Sequence, residues 1–145
     1  MRDKLDRYYT DPRVARACVE VMMEATVLIP RSIPTVDLLT GSINRIPNQY
    51  RGGAIFIEPS SGGGAFLDAL GEPAYAYDID PEAVTVKDGR AVCMDWLDVQ
   101  ELPGTRWDYR IVFGNPPYKH AQEHIEHAFK LGADEVWFLL RTGFS

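Results

Sequence analysis

The chain has 145 residues, enough for one domain with a core of its own. Its 46% hydrophobic and 25% charged residues are those of an ordinary globular protein, and a net charge of −6 argues against a surface coated in phosphate-binding side chains. No apolar stretch approaches a membrane span, and the opening MRDKLDRYYTDP lacks the apolar region of a signal peptide.

The charge is uneven. Residues 1–51 carry eight Lys/Arg against six Asp/Glu, and residues 52–145 carry seven against fifteen. A polyanion would meet the N-terminal part more readily, although the positive excess there is small. Cys18 and Cys93 match no metal-ligand spacing and are expected to stay reduced.

In chain order, DPRVARACVEVMMEATVLIP predicts a helix. Asp11 can cap it, Pro12 suits the first turn, and Val14, Ala17, Cys18, Val21, Met22 and Ala25 recur at helical spacing. Pro30 and Pro34 break the pattern, so residues 31–53 read as loop with at most a short turn around Val36–Leu39. A strand–helix alternation follows. AIFIE (54–58), AYAYD (74–78), RAVCM (90–94), DYRIVF (108–113) and EVWFLLR (135–141) read as strands. AFLDAL reads as a short helix. KHAQEHIEHAFKLGA reads as a longer one, with Ala121, Ile125, Ala128 and Phe129 as its apolar stripe. Apolar strands alternating with helices predict an α/β doubly wound, mainly parallel sheet covered on both faces, in a single domain spanning 1–145. The chain stops soon after the fifth predicted strand, where such sheets usually continue, so the fold is either minimal or truncated there.

Four motifs fall at the carboxyl ends of predicted strands, where open α/β sheets bind ligands. EPSSGGGAFL (58–67) places three glycines between strand and helix, allowing close backbone approach to a ligand. It is neither G-x-G-x-x-G nor a P-loop, which disfavours ATP; its plain alternative is a flexible connector. In YDIDP, Asp78 lies twenty residues beyond Glu58, an offset at which an acid accepts from ribose hydroxyls. Asp78 and Asp80 alternate, so one can face a ligand while the other caps PEAV. In CMDWLD, Asp95 could accept from an adenine amino group with Trp96 packed near the ring; a plain turn cap is the alternative. FGNPPYK (113–119) ends the fourth strand, and its two prolines stiffen the frame around Asn115 and Tyr118. His120, His124 and His127 share a side of the following helix, but no further ligand accompanies them and no metal is expected.

Together EPSSGGGAFL, YDIDP, CMDWL and GNPPY resemble motifs I to IV of S-adenosylmethionine-dependent amino-methyltransferases. The nearest likeness is to adenine-N6 DNA methyltransferases of restriction–modification and phage type. YYTDP (8–12) resembles their motif X, and VWFLLRTGF falls where a motif V would. The resemblance implies the Rossmann-like class I methyltransferase fold, S-adenosyl-L-methionine as cofactor, and the cytoplasm of a bacterial or phage-infected cell. Glu58, Pro59, Ser60 and the Gly62–Gly64 loop would hold the methionine part, with Thr10 at its carboxylate and Phe66 packed beneath the loop. Asp78 would bind the ribose, Ile79 would pack on the cofactor's adenine, and Asp95 and Trp96 would hold its amino edge.

The chemistry expected of NPPY agrees. An exocyclic amine is a poor nucleophile because its lone pair is delocalised into the ring. The Asn115 oxygen and the Pro116 carbonyl, aimed by Pro116 and Pro117, would accept from its two N–H groups and localise that lone pair. Tyr118 offers a ring on which a flipped base can stack. Adenine in DNA is the favoured acceptor. RNA adenine and a protein glutamine amide are the alternatives, since NPPY serves those enzymes too. The glutamine enzymes usually carry a DxGxGxG-like motif I, unlike EPSSGGGAF. No target-recognition domain is evident. Residues 31–53, with Arg31, Arg45 and Arg51, are the only extra segment offering contacts to a nucleic-acid backbone, and an ordered connector is its plain alternative. A cofactor-binding fragment or inactive subunit, needing a partner chain for target recognition, is the reading from a different class.

Overall fold

The computed structural model describes residues 9–26, 32–36, 39–47, 53–105 and 107–140, with 32–36 and 43–47 described as backbone. Tyr8, Arg31, Arg51, the Arg45 side chain and residues 141–145 lie outside the described residues.

Helix α1 (Pro12–Thr26) comes first, entered through Asp11, whose Oδ1 accepts from Arg13 N at 2.8 Å. Strands β1 (Ser32–Val36) and β2 (Ile43–Pro47) pair antiparallel, with Ser32 opposite Pro47 and Val36 opposite Ile43. This corrects the loop expected over 31–53. Pro34, read there as a breaker, is compatible with strand because a two-stranded ribbon consists only of edges, and an edge tolerates a missing donor; Pro30 lies outside the described residues.

The central sheet is built from β3 (Gly53–Glu58), β4 (Tyr75–Asp78), β5 (Val92–Cys93), β6 (Asp108–Gly114) and β7 (Glu135–Phe138), all parallel, in the order β5-β4-β3-β6-β7. Between them run α2 (Ala65–Leu70), α3 (Val84–Lys87) and α4 (Ala121–Lys130). This is a Rossmann-like, doubly wound α/β fold. The chain runs outward from β3 through β4 to β5, then crosses back to lay β6 on the other side of β3. The β3/β6 boundary is the switch point, where the crevice of such a sheet opens.

Strand alternation divides the core between the two faces. Phe56, Ile111 and Phe113 meet Ala15, Val19 and Met22 of α1 and Phe66 and Leu70 of α2. Ile57 and Val112 meet Trp96, Val99, Leu102 and Ala128 on the opposite face. Phe113 is held edge-on by Phe56 and Phe66 at centroid distances of 6.0 and 6.2 Å.

Both predicted helix stripes are rotated. In α1 the buried line is Ala15, Val19 and Met22, while Val14 and Val21 are exposed. In α4 the buried line is Ala121, His124 and Ala128, while Phe129 is exposed. His124 can take a core position because its Nδ1 is bonded to the His120 carbonyl oxygen at 2.9 Å, which satisfies the ring internally. Burial lowers its pKa below the ordinary 6.5. His127 Nε2 is likewise bonded to the Val99 carbonyl oxygen, so these two rings serve the fold. Among the described residues, no helix is long and apolar enough to cross a membrane.

Candidate functional site

Parallel strands bring the four motifs to one edge of the sheet, and the switch point brings two of them into contact. Register pairs Ile57 with Val112, so Glu58, one residue on, sits beside the Phe113–Gly114 end of β6. The Glu58 side chain is 1% exposed, and its Oε2 has no hydrogen-bond partner. Burial first, and then the nearby Asp78 carboxylate, raises its pKa well above the ordinary 4.5, with Arg90 opposing.

Asn115 follows on β6 and is nearly as buried. Its Nδ2 donates to Thr10 Oγ1 at 3.0 Å, and its Oδ1 has no partner. Glu58 and Asn115 line one small cavity with Tyr9, Thr10, Ser60 and Gly62; Phe66 and Ala65 of α2 also face it. Two buried acceptors without donors in one cavity are uncommon, because each costs about 1–3 kcal/mol of lost hydration. Such a pair calls for a ligand rich in N–H groups.

A larger cavity, of about 350 Å³, lies between α1 and the end of β7 and includes Cys18, Met22, Phe113 and Leu139 in its lining. Its lining is mostly apolar, and the Trp137 indole N–H is already bonded to Glu135, so the smaller cavity is the candidate site.

The glycine loop is held from behind. Gly62 N donates to Asp78 Oδ2 at 2.8 Å, and Thr85 of α3 donates from its hydroxyl and its backbone N to the Gly62 carbonyl oxygen. Ser61 and Thr85 share a hydroxyl–hydroxyl bond of 2.8 Å. Arg90 reaches over the loop's end and pairs with Asp68 and Asp88. In front, the Tyr9 ring lies on Gly62 and Gly63. A Cβ at Gly63 would come within 2.9 Å of it, so only glycine admits this packing.

Asp78 reaches the sheet edge as expected, but its carboxylate is turned inward at 1% exposure. Its Oδ1 accepts from Asp80 N and its Oδ2 from Gly62 N. Asp80 does cap, accepting from Glu82 N at 2.9 Å. Ile79 stands exposed beside them. Asp95 caps the short turn Trp96–Asp98 by accepting from Leu97 N. Trp96 is not at the edge. It is 1% exposed, packs against Tyr77 and His127, and donates from Nε1 to the His124 carbonyl oxygen at 3.1 Å. Met94, exposed and bonded through its N to the Asp78 carbonyl oxygen, occupies the edge instead.

Pro59 and Pro116 are buried, Pro117 and Tyr118 are partly buried, and the Pro117 carbonyl oxygen accepts from His120 N to start the turn Tyr118–His120. Gly64 ends the loop at φ +89°, directly before α2. Tyr9, Gly114 and Thr85 were missed by sequence reasoning. Tyr9 within YYTDP and Gly114 within GNPPY lay in motifs already singled out, whereas Thr85 carried no local hint.

No protein-family model matches this chain, and no curated protein matches it either.

Proposed function

We propose that this chain is an S-adenosylmethionine-dependent methyltransferase that methylates the exocyclic N6 amino group of adenine in DNA. The observation that carries the reading is the pair of donorless acceptors, Glu58 Oε2 and Asn115 Oδ1, in one cavity at the switch point. The amino-acid end of the cofactor carries an ammonium, and a buried carboxylate suits a cation with several N–H groups. The order of the edge motifs, with NPPY last, supports the same assignment.

Glu58, with the backbone of the glycine loop, would hold the methionine end; Ile79 and Met94 offer apolar surface for the adenine of the cofactor. When bound, the cofactor supplies a methyl group on a positively charged sulfur. Asn115 accepts one N–H of the acceptor amine at Oδ1, which draws the nitrogen lone pair out of the ring. Thr10 holds the Asn115 amide by accepting from its Nδ2, which leaves Oδ1 for the incoming N–H. That fixed dipole needs no reorganisation when charge develops. The Pro116 carbonyl is the second acceptor in this reading, and Tyr118 is the stacking surface. As the nitrogen–carbon bond would form, the sulfur–methyl bond would break to leave a neutral thioether, and the proton of the amine would pass to water.

Titration calorimetry with S-adenosylmethionine is expected to give a micromolar dissociation constant. Incubation with labelled cofactor and adenine-containing DNA is expected to yield N6-methyladenine on nucleoside analysis. Asn115→Ala should lose transfer by at least a hundredfold, about 2.7 kcal/mol, while keeping cofactor binding. Absence of any cofactor heat would sink the proposal. Label on a glutamine-containing protein and not on nucleic acid would select the amide alternative, which presents the same N–H donors. Full binding with no transfer to DNA, RNA or protein would select the cofactor-binding fragment.

A further inference from the structure

We propose that Tyr9 is the access-controlling residue of the Glu58–Asn115 cavity, its ring acting as a gate that must leave the glycine loop before a ligand can enter. The inference rests on the cofactor assignment for the identity of the ligand, but not for the gate itself.

The cavity amounts to about 20 Å³, room for one water. An amino-acid-sized group does not fit there, although Glu58 and Asn115, each with a buried oxygen that has no partner, line that space. One wall therefore has to move. Glu58 ends β3 and Asn115 directly follows β6, the strand paired with it, and Phe66 is wedged against Phe113 in the core. The glycine loop is held from behind by Asp78 and Thr85 through four hydrogen bonds among buried groups. Tyr9 differs from all of these, being 47% exposed.

Its ring also lies in the right place. Ring atoms of Tyr9 come within 3.1 Å of a Cβ built on Gly62 and 2.9 Å of one built on Gly63. The ring thus covers the backbone face that Gly62 and Gly63 keep clear. The segment behind it is pinned. Thr10 is bonded to Asn115, and Asp11 accepts from Arg13 N through its side chain and from Ala15 N through its carbonyl oxygen. Rotation of the ring about its own side-chain torsions opens the cavity without disturbing Asn115. A half-exposed aromatic makes such a rotation far faster than a ligand binds, so the open fraction sets the apparent association rate. Minor states of this kind are populated at about 0.1–10%.

The test uses a thiol introduced into the cavity wall by Ser60→Cys, alkylated with iodoacetamide and read peptide by peptide by mass spectrometry. Exposed Cys93 serves as the internal reference. Adding Tyr9→Ala is expected to raise alkylation at position 60 at least tenfold, the reciprocal of the largest open fraction above, while Cys93 is unchanged. Tyr9→Phe keeps the ring and should keep the slow rate. Equal alkylation with and without Tyr9→Ala overturns the gate, and so does a Tyr9→Phe rate as fast as that of Tyr9→Ala. Stopped-flow association of S-adenosylmethionine should accelerate in Tyr9→Ala by a similar factor; an unchanged association rate also overturns the proposal. Faster alkylation with no cofactor binding in either protein leaves the gate standing and removes the cofactor assignment instead.

Discussion

At Gly114 the backbone takes φ +135°, and the place of a Cβ is filled by Glu58, whose Cγ lies 2.8 Å and Oε1 2.9 Å from it. The glycine before NPPY is therefore part of the Glu58 site. Its missing side chain is the room in which the buried carboxyl lies. A methyl there meets strain in the backbone and a clash with a charge-bearing side chain that has nowhere to retreat. Gly114→Ala is expected to cost about 1–3 kcal/mol in urea denaturation. It should also weaken S-adenosylmethionine binding by roughly tenfold, 1.4 kcal/mol, because Glu58 is displaced even in the molecules that fold. Unchanged calorimetric affinity would show that Glu58 does not hold the cofactor.

Among the elements, the turn after β5 shows how a cap decides the fate of its neighbour. Asp95 accepts from Leu97 N and turns the chain at the strand end. That turn carries Trp96 beneath the sheet, where its N–H finds the His124 carbonyl oxygen of α4 and its ring packs on Tyr77 and His127. A residue expected beside the cofactor is a core residue joining β4, the turn and α4. Trp96→Ala should therefore cost about 3–5 kcal/mol of stability. Cofactor affinity, corrected for the folded fraction, should change less than twofold. A large loss of affinity without loss of stability would return Trp96 to the binding edge.

For the whole molecule, the crossover from β5 to β6 makes β3 and β6 neighbours and so makes Glu58 a buried group. Buried in the fold, its carboxyl binds a proton more tightly than in the unfolded chain. The linkage follows from that direction. Its contribution to stability is fully present below the ordinary value of 4.5 and is lost as pH rises through the raised folded value. Glu58→Gln should gain stability relative to the parent as pH rises from 4.5 to the raised folded value, with a slope of up to about 1.4 kcal/mol per unit. Urea midpoints at pH 5 and pH 8 measure this, and parallel profiles for parent and variant would refute it. In the parent, cofactor binding should release a proton and tighten with rising pH, since an ammonium favours the ionised carboxyl.

The sheet was legible because its signals are local. Apolar runs such as Ala54–Glu58 and Asp108–Phe113, each ended by glycine or proline, announce buried parallel strands whatever surrounds them. The helix AFLDAL was legible in the same way, and so was the gathering of Glu58, Asp78, Asp95 and Asn115 at one edge, because parallel strands end together. The direction of each side chain at that edge was not. One step along a strand or turn sends a residue to the opposite face. Thus Trp96 turned inward, Asp78 was drawn onto the backbone N–H groups of Gly62 and Asp80, and the stripes of α1 and α4 rotated. The contacts that make the cavity, Tyr9 on the glycines and Thr10 on Asn115, join residues far apart in the chain. No local pattern encodes such a pair, because it exists only once independently formed elements have packed.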